Sequence, residues 1–565
     1  MKGLKALFAI AVITPLATLA QVPITTFEGD ELKIPSLNLN NQNYKDLVVK
    51  YLGGMNFDVT QFQETTEPFF HYASKFESGK LVVNALELGE EIYADLLFDS
   101  AGGTRLNLSS FKGPVKELDF KETDFLLVEP KEWKSNESVY DSDNGVFITK
   151  RGAVLVSDSK TLDLDNDGLK DILIASVLFE NDEFVDEKMP LLWLKNTGNG
   201  FESGDPEIFP DTHARTHIRS IHVADFNNDG QDDIFAASTG YDGRPFPGEA
   251  NLLLLSDSQG SYQDASIDNL NFDYLGFTHG SDIGDINNDG HIDIATTDNC
   301  GPNGRISGAR VLVNDGQAQF IQAAIKNTEA YDVPAIFGTF CSGIQVALID
   351  LNSDGYDELI IGSYYRDLAE DRIFWNDKSG EFDLSNYTRV PEFKSFDGSY
   401  LYDTLAILGT DLNFDGNVDI IMSKSQRYEG MGLQFLINNG DETFTDVTDS
   451  YSPWLTSGPA SQQAIPYFIS ETDINSDGLP DLKLSYDKWG DEKFPHIWLR
   501  KKDGGYEEYP SANLPKVGWF WLIDYDHDGD QDLINRSQSF VKINGSGENV
   551  LNAVFEWRIL ENESL

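Results

Sequence analysis

Positive charge is scarce in this sequence. Its 565 residues include 42 lysines and arginines against 94 aspartates and glutamates, which gives a formal net charge of −52. A chain so acidic is a poor partner for nucleic-acid phosphates and for bare anionic membranes. Like charges at this density also oppose compaction of the chain, so something must offset the repulsion between the acidic residues in the folded protein.

Long apolar runs are absent after residue 20, and no later stretch is long enough to cross a bilayer as a helix. Residues 1–20 carry lysines at positions 2 and 5, an apolar stretch, and the small residues Thr18 and Ala20. This pattern is typical of a signal peptide that is cut before Gln21. The residue after the cut is not cysteine, which excludes a lipoprotein anchor. We therefore expect a secreted, periplasmic or cell-surface protein.

Common catalytic signatures are missing as well. The sequence has no serine nucleophile elbow, no HExxH zinc motif and no phosphate-binding GxxxxGK[ST] loop. Hydrolase and nucleotide-binding functions are therefore unsupported. We regard enzymatic activity as uncertain, with a non-enzymatic role favoured.

What the sequence has is a nine-residue signature that returns seven times, Asp-x-(Asp/Asn)-x-Asp-Gly-x-x-(Asp/Glu). Successive copies begin 51 to 65 residues apart. A period of this size predicts a repeat architecture. The copies begin at Asp163, Asp225, Asp285, Asp350, Asp411, Asp473 and Asp524.

Each copy has the chemistry of a calcium loop. Ca²⁺ takes about 6 to 8 oxygen ligands, and side chains at alternate positions of a tight turn converge on one point. Positions 1, 3, 5 and 9 supply side-chain oxygens, position 7 supplies a carbonyl, and the glycine at position 6 allows a positive φ. Up to seven Ca²⁺ ions would cancel 14 of the 52 net negative charges. The predicted ligands are Asp163, Asp165, Asp167, Leu169, Asp171, Asp225, Asn227, Asp229, Gln231, Asp233, Asp285, Asn287, Asp289, His291, Asp293, Asp350, Asn352, Asp354, Tyr356, Glu358, Asp411, Asn413, Asp415, Asn417, Asp419, Asp473, Asn475, Asp477, Leu479, Asp481, Asp524, Asp526, Asp528, Asp530 and Asp532.

The flanks of the loops predict strands rather than the helices of an EF-hand. Position 12 is never the bidentate glutamate that an EF-hand requires. Short apolar runs such as DILIAS and ELIIGS follow the loops, and runs such as GIQVALID precede them. Six units then carry a second hairpin signature, such as VLVNDGQAQF. Each unit is therefore four strands in about 60 residues, the size of a propeller blade.

The succession of strand, DxDxDG loop, strand and aromatic-ended hairpin resembles the FG-GAP/VCBS repeats, a family that includes the integrin α-chain N-terminal propeller. The resemblance covers roughly residues 136–565. It implies an all-β, seven-bladed β-propeller with calcium in the turns between strands 1 and 2, and in many members adhesion or glycan contact through the opposite face. Glu358 departs from the aspartate at position 9, which makes the geometry of the fourth loop less certain.

The last unit is too short for four strands, since 41 residues follow Asp524. We expect the missing strand to come from the segment near Val139 to Thr149, which would close the ring without an open sheet edge. Residues 21–135 contain no repeat, and the alternation in the stretch KLVVNALELGEEIYADLLF predicts a small β-rich N-terminal domain. Its role is either packing or accessory glycan binding.

The connections between strands 2 and 3 should lie at the end of the propeller opposite the calcium loops. They are rich in aromatic, arginine and acidic residues, which suit sugar rings and hydroxyl groups. His217 and His279 fall near the connections between blades on the same face, whereas His222 lies in an alternating strand and is expected to be packed. The candidate ligand residues are Tyr241, Asp242, Arg244, His279, Arg305, Tyr365, Arg366 and Trp489.

Both cysteines, Cys300 and Cys341, also fall on the face opposite calcium, and in an exported chain we expect them to form a disulfide.

Two classes of function remain, beside the possibility of a purely structural surface protein. The favoured one is a secreted, calcium-binding adhesion module that recognises a glycan or an extracellular protein. The alternative is a polysaccharide-active enzyme of the lyase type, with a base such as His279 or a tyrosine beside a cation such as Arg244 or Arg305.

Overall fold

A computed structural model gives the fold. It describes residues 25–39, 42–64, 74–77, 80–88, 91–130, 137–141, 146–150, 153–180, 183–184, 186–205, 207–209, 211–243, 246–257, 260–270, 275–298, 309–326, 343–363, 370–394, 400–426, 429–452, 466–486, 497–510, 514, 519–543 and 550–562. The chain is almost entirely β-structure, as predicted. Among these residues no helix is long and apolar enough to cross a membrane.

The N-terminal region forms a barrel-like sheet of eight strands. The first two strands pair with the sixth and fifth, so the sheet closes on itself around an apolar core that contains Ile34, Val49, Val83 and Phe98. A closed sheet leaves no edge for unwanted pairing. The strands are Thr25–Glu28, Glu31–Leu39, Gln42–Gly53, Asn56–Glu64, Ser74–Glu77, Lys80–Leu88, Glu91–Gly102 and Arg105–Lys112.

Seven blade sheets follow, and we number the blades and their strands in chain order. Blades 2 to 6 have four strands each, whereas the sheet of blade 1 has five strands and that of blade 7 has six. The first strands of successive blades contact one another from the first blade to the sixth, which places them innermost. The strands are Ala153–Leu162, Asp171–Glu180, Leu192–Asn196 and Phe201–Ser203 in blade 1; Ile218–Ala224, Asp233–Ser238, Leu252–Ser256 and Tyr262–Asp264 in blade 2; Thr278–Gly284, Asp293–Asp298, Ala309–Asn314 and Phe320–Gln322 in blade 3; Gly343–Ile349, Glu358–Ser363, Arg372–Phe374 and Tyr387–Arg389 in blade 4; Asp403–Thr410, Asp419–Gln426, Glu429–Asn438 and Phe444–Asp446 in blade 5; Pro466–Thr472, Asp481–Tyr486, Ile497–Arg500 and Tyr506–Glu508 in blade 6; and Trp519–Ile523, Asp532–Ile543 and Val550–Asn562 in blade 7.

The second strands explain why the blades stack into a ring. They read as apolar runs because alternate side chains pack against the two neighbouring blades, as in sheets covered on both faces. Leu173 faces blade 2, whereas Ile172 packs with Trp521 of blade 7. Seven apolar clusters of this kind fill the seven junctions, including the junction between the last blade and the first. The fold is therefore a closed seven-bladed propeller.

The strand that completes blade 7 comes from the N-terminal side, as expected, but its identity differs from the prediction. Phe120–Pro130 pairs antiparallel with Val550–Asn562 at eight positions. The predicted segment contributes less, because Val146–Lys150 pairs with the same strand at two positions. Phe120–Pro130 lies before the boundary we placed near residue 135, so the chain enters the propeller sheet earlier than its repeats suggest.

Short elements complete the chain. The additional strands are Glu137–Asp141, Glu183–Phe184, Ile325–Lys326, Phe382–Asp383, Phe393–Lys394 and Tyr400–Leu401, and the helical turns are Asp211–His213, Ser266–Asn269 and Thr448–Tyr451.

Candidate functional site

Each of the seven signatures forms the turn between strands 1 and 2 of a blade. The carboxylate at position 1 organises this turn by accepting two backbone N–H groups. In the second loop Asp225 accepts from the N–H of Asp229 at 3.0 Å and of Gly230 at 2.8 Å. The first six loops share this pattern. The position-6 glycines have φ between 82° and 104°, which confirms that the turn needs a positive φ there.

Position 9 fastens the loop to the blade. Asp419 accepts the N–H of Leu412 at 2.8 Å and that of Asn438, on strand 3, at 2.7 Å. Burial, together with the nearby Asp411 and Asp415, raises the pKa of Asp419 to about 8. Burial likewise raises the pKa of Asp171 to about 6 and of Asp532 to about 8. A nearby cation would lower the pKa of such a buried carboxyl group, because it stabilises the charged form.

The first and last loops gather their carboxylates most closely. In each of them one oxygen of each of three aspartates lies within 4.8 Å of the others; the sets are Asp163, Asp165 and Asp171, and Asp524, Asp526 and Asp532. Oδ1 of Asp165 and Oδ1 of Asp524 are buried and have no hydrogen-bond partner among the described residues. Unpaired buried oxygens are costly unless a cation binds them. These two loops therefore fit a hard, oxygen-seeking cation such as Ca²⁺.

The middle loops differ because asparagine occupies position 3. Asn287, Asn413 and Asn475 each donate a side-chain N–H to the aspartate at position 5, at 2.8 to 3.1 Å. These loops are therefore held partly by their own hydrogen bonds. In the fourth loop the longer Glu358 accepts the N–H of Leu351 at 2.8 Å and the amide of Asn352 at 3.2 Å.

Lysines approach both loops that have four acidic ligands. Lys195 Nζ contacts Asp165 and lies 2.9 Å from Asp167. At the last loop, Lys112 from the barrel lies so close to Gly529 that a Cβ there would collide with its side chain. Each lysine brings a tethered positive charge close to its loop, and Lys112 also pairs with Asp95 of the barrel at 3.0 Å.

The barrel also covers the sixth loop. Ala85 lies against Gly478, where an added Cβ would be 2.5 Å from the alanine methyl. Glu87 forms an ion pair with Lys502 of blade 6 at 2.8 Å. Ser476 and Leu479 of this loop are buried, with exposed fractions of 9% and 2%. The barrel therefore packs on the side of the propeller that carries the acidic loops.

Two structural features of the loops were not predicted from the sequence. Position 4 adopts a positive φ in all seven loops, between 54° and 63°, although no copy has glycine there. Asparagine occupies this position in three copies, which was the available signal, since it tolerates this conformation better than most residues.

The second feature is a hydrogen bond that links neighbouring blades. At the end of strand 3, Asn438 donates to the carbonyl of Leu351, at position 2 of the preceding loop, at 2.7 Å. Asn314 and Asn376 do the same at 2.8 and 2.7 Å, and Asn196 joins blade 1 to blade 7 at 3.3 Å. Blade 6 uses the guanidinium of Arg500 instead. The visible signal in the sequence was an asparagine two residues before a glycine, as at Asn196, Asn314 and Asn438.

On the opposite face the structure brings together part of the predicted ligand set. Asp242 forms an ion pair with Arg219. Arg219 was not among the predicted ligand residues. His279 Nδ1 lies 3.0 Å from the carbonyl of Ile344, so it donates to that oxygen and leaves Nε2 as an acceptor. Burial, followed by the nearby Arg219, holds the pKa of His217 and of His279 well below the usual 6.5. Both imidazoles are therefore neutral at neutral pH.

Tyr241 is half-buried in the same connection as Asp242. His222 is packed, as expected, with Nε2 2.8 Å from Ser281 Oγ. Arg244, Arg305, Tyr365, Arg366 and Trp489, and also Cys300 and Cys341, lie outside the described residues.

Comparison with known proteins agrees with this architecture. The model of the FG-GAP-like repeat family matches residues 163–236, which include the first two acidic loops. With the seven-bladed ring, this match supports an FG-GAP repeat protein that resembles the integrin α-chain propeller. No curated protein matches the chain.

Proposed function

We propose that this protein is an exported, calcium-stabilised binding module that recognises a glycan or an extracellular protein through the face opposite its acidic loops. The observation that carries the proposal is that two different groups of side chains lie at opposite ends of the same rigid ring. Acidic loops that fit Ca²⁺ lie at the turns between strands 1 and 2. The Arg219–Asp242 pair and His279 lie at the other end of the blades. Loops on a rigid scaffold commonly carry binding sites.

In this proposal calcium has a structural role. The aspartates at positions 1, 3, 5 and 9 would hold the ion, and the ion would supply positive charge that offsets their mutual repulsion. The same proposal includes the signal peptide with its boundary after residue 20, the glycan or protein ligand, and the disulfide between Cys300 and Cys341. The chemistry of the 2–3 connections and the strongly acidic composition support it.

A panel of immobilised glycans tests this function directly. We expect retention on at least one of them, and loss of at least tenfold in affinity, about 1.4 kcal/mol, in Tyr241→Ala. Asp257→Ala, in the turn between strands 3 and 4 of blade 2, is the matched control on the calcium side. If Tyr241→Ala binds normally while Asp257→Ala loses binding but still folds, the ligand binds on the calcium side and the proposed binding face is wrong.

A lyase function is the second candidate, and one observation favours it. His279 is held neutral beside a guanidinium, Arg219, which is the pairing that β-elimination needs. The imidazole would remove the proton next to a uronate carboxylate, the bond from the ring to the glycosidic oxygen would break, and a carbon–carbon double bond would form as that oxygen takes up a proton. Ultraviolet absorbance by unsaturated products from acidic polysaccharides, lost in His279→Ala, would show this activity. Retention of the polysaccharide without such absorbance would support a binding function without lyase activity.

A further inference from the structure

No apolar cluster joins the barrel to the propeller among the described residues. The cluster that contains Val49 and Phe98 consists of barrel residues alone, and the other seven contain no residue of the barrel strands. Two domains of one chain move relative to each other unless their interface is large and hydrophobic. Charged groups therefore have a strong influence on whether the barrel stays docked.

Four barrel residues form a patch at the acidic end of blades 6 and 7. Ala85 lies against Gly478 of the sixth loop, and Lys112 lies against Gly529 of the seventh. The patch spans three neighbouring strands of the barrel. We call Ala85, Glu87, Asp95 and Lys112 the docking patch.

The docking patch carries more negative than positive charge. Lys112 Nζ is 3.0 Å from Asp95 Oδ2, and Lys502 Nζ of blade 6 is 2.8 Å from Glu87 Oε2. The patch itself thus brings two carboxylates and one lysine to the propeller. Its net charge has the same sign as that of the sixth loop.

The sixth loop faces this patch with three carboxylates, Asp473, Asp477 and Asp481. Burial, Asp477 and Asp95 all raise the pKa of Asp473. Asp95 of the barrel therefore lies within electrostatic range of the loop and repels its negative charge. Asp473 accepts the N–H groups of Asp477 at 3.0 Å and Gly478 at 2.8 Å, which is the turn found in the first five loops, and its oxygen ligands suit Ca²⁺ in the same way.

We propose that a Ca²⁺ ion in the sixth loop holds the barrel against the propeller, and that removal of this ion releases the barrel. The proposal rests on the proposed calcium role of the loops. Two positive charges lower the net charge of the three carboxylates from −3 to −1, which weakens the repulsion of Asp95. Lys112 has the opposite preference at the seventh loop, so the sixth loop is the one that favours docking.

Carbodiimide cross-linking measures docking in the intact protein. The reagent joins the Glu87 carboxylate to the Lys502 amine when the two are in contact, and peptide mapping by mass spectrometry gives the yield. We expect at least a threefold lower yield after calcium has been removed, and recovery with Ca²⁺ but not with NaCl at the same ionic strength. Reference cross-links within each domain should keep their yields. These are Glu28 to Lys33 and Glu381 to Lys326.

Substitution of single ligands separates the sixth loop from the others. Asp473→Ala in excess calcium should lower the Glu87–Lys502 yield at least threefold. Asp411→Ala, the same change in the fifth loop, should leave it unchanged, and an equal loss in this control would overturn the proposal. Because Asp473→Ala also removes a negative charge near Asp95, relief of repulsion alone predicts the opposite result.

Asp95→Asn tests the barrel side of the contact. It should keep a high yield even without calcium, whereas Asp99→Asn, on the same strand and paired with Lys80 at 3.5 Å, should retain the calcium dependence. Equal yields with and without Ca²⁺, in protein that binds calcium and is stabilised by it, would overturn this proposal alone. A chain that binds no calcium would overturn the calcium role as well. If Asp473→Ala loses the reference cross-links because it unfolds, the unsubstituted protein and Asp95→Asn still decide the question.

Discussion

Removal of calcium should destabilise the propeller by an amount that can be worked out from its loops. The seven turns place carboxylates close together, and the first and last bring three oxygens within 4.8 Å. Without a cation these charges repel one another and resist burial. We therefore expect EDTA to lower the melting temperature and added Ca²⁺ to restore it.

The magnitude follows from mass action. Extracellular calcium modules bind with dissociation constants of about 10⁻⁴ to 10⁻³ M. At a calcium concentration ten times the dissociation constant, each site contributes about 1.4 kcal/mol, and seven sites about 10 kcal/mol. For a propeller of about 430 residues, the usual unfolding entropy of about 2.1 cal/mol/K per residue converts this into a fall of about 11 °C.

Scanning calorimetry on protein whose metal content has been measured provides the assay. Mg²⁺ at the same concentration should restore much less stability, because it keeps several waters and demands octahedral geometry. An unchanged melting curve after verified removal of metal would refute the reasoning. So would equal rescue by Mg²⁺.

Three further predictions concern single residues. Asp524→Ala should remove a tighter calcium ion than Asp411→Ala, because the last loop has four acidic side-chain ligands against three; a larger calorimetric loss at Asp411 would contradict this. Asn438→Ala should lower the free energy of unfolding by about 2 to 4 kcal/mol, since it leaves two carbonyls and one N–H unpaired, whereas Asn439→Ala should change it little in the same urea titration. Burial lowers the pKa of His222 to about 3, below the unfolded value, so its contribution to stability is present above pH 6.5 and is lost as the pH falls toward 3. Between pH 7.5 and 5.5 this loss is about 1.4 kcal/mol, and calcium-saturated His222→Gln should lack it.

The sequence predicts those parts of the fold that each repeat encodes locally. Gly230 and its six counterparts were identified because a tight turn around an ion needs a positive φ at that position. The apolar runs after each loop were identified as strands because they are buried on both faces in the ring. Seven copies of one pattern then predicted seven blades.

Features that join distant parts of the chain were missed or misplaced. The closing strand Phe120–Pro130 meets residues more than 400 positions away, and no repeat marks it. Arg219 was overlooked because nothing in its strand signals an ion pair with Asp242 in the next connection. Lys195 reaches an acidic loop about thirty residues earlier in the chain, and local spacing does not reveal this contact. Pairing of this kind is decided by tertiary packing rather than by local pattern.

The barrel makes the two ends of the propeller different. Its described contacts with the acidic loops fall on blades 6 and 7, where Ala85 lies against Gly478 and Lys112 lies against Gly529. Arg219 and His279, by contrast, belong to blades 2 and 3 and lie at the opposite end. A ligand on that end would therefore not compete with the barrel for the same surface. A cation in the sixth loop would lie beside the barrel, so occupancy of this loop and docking of the barrel would be thermodynamically linked.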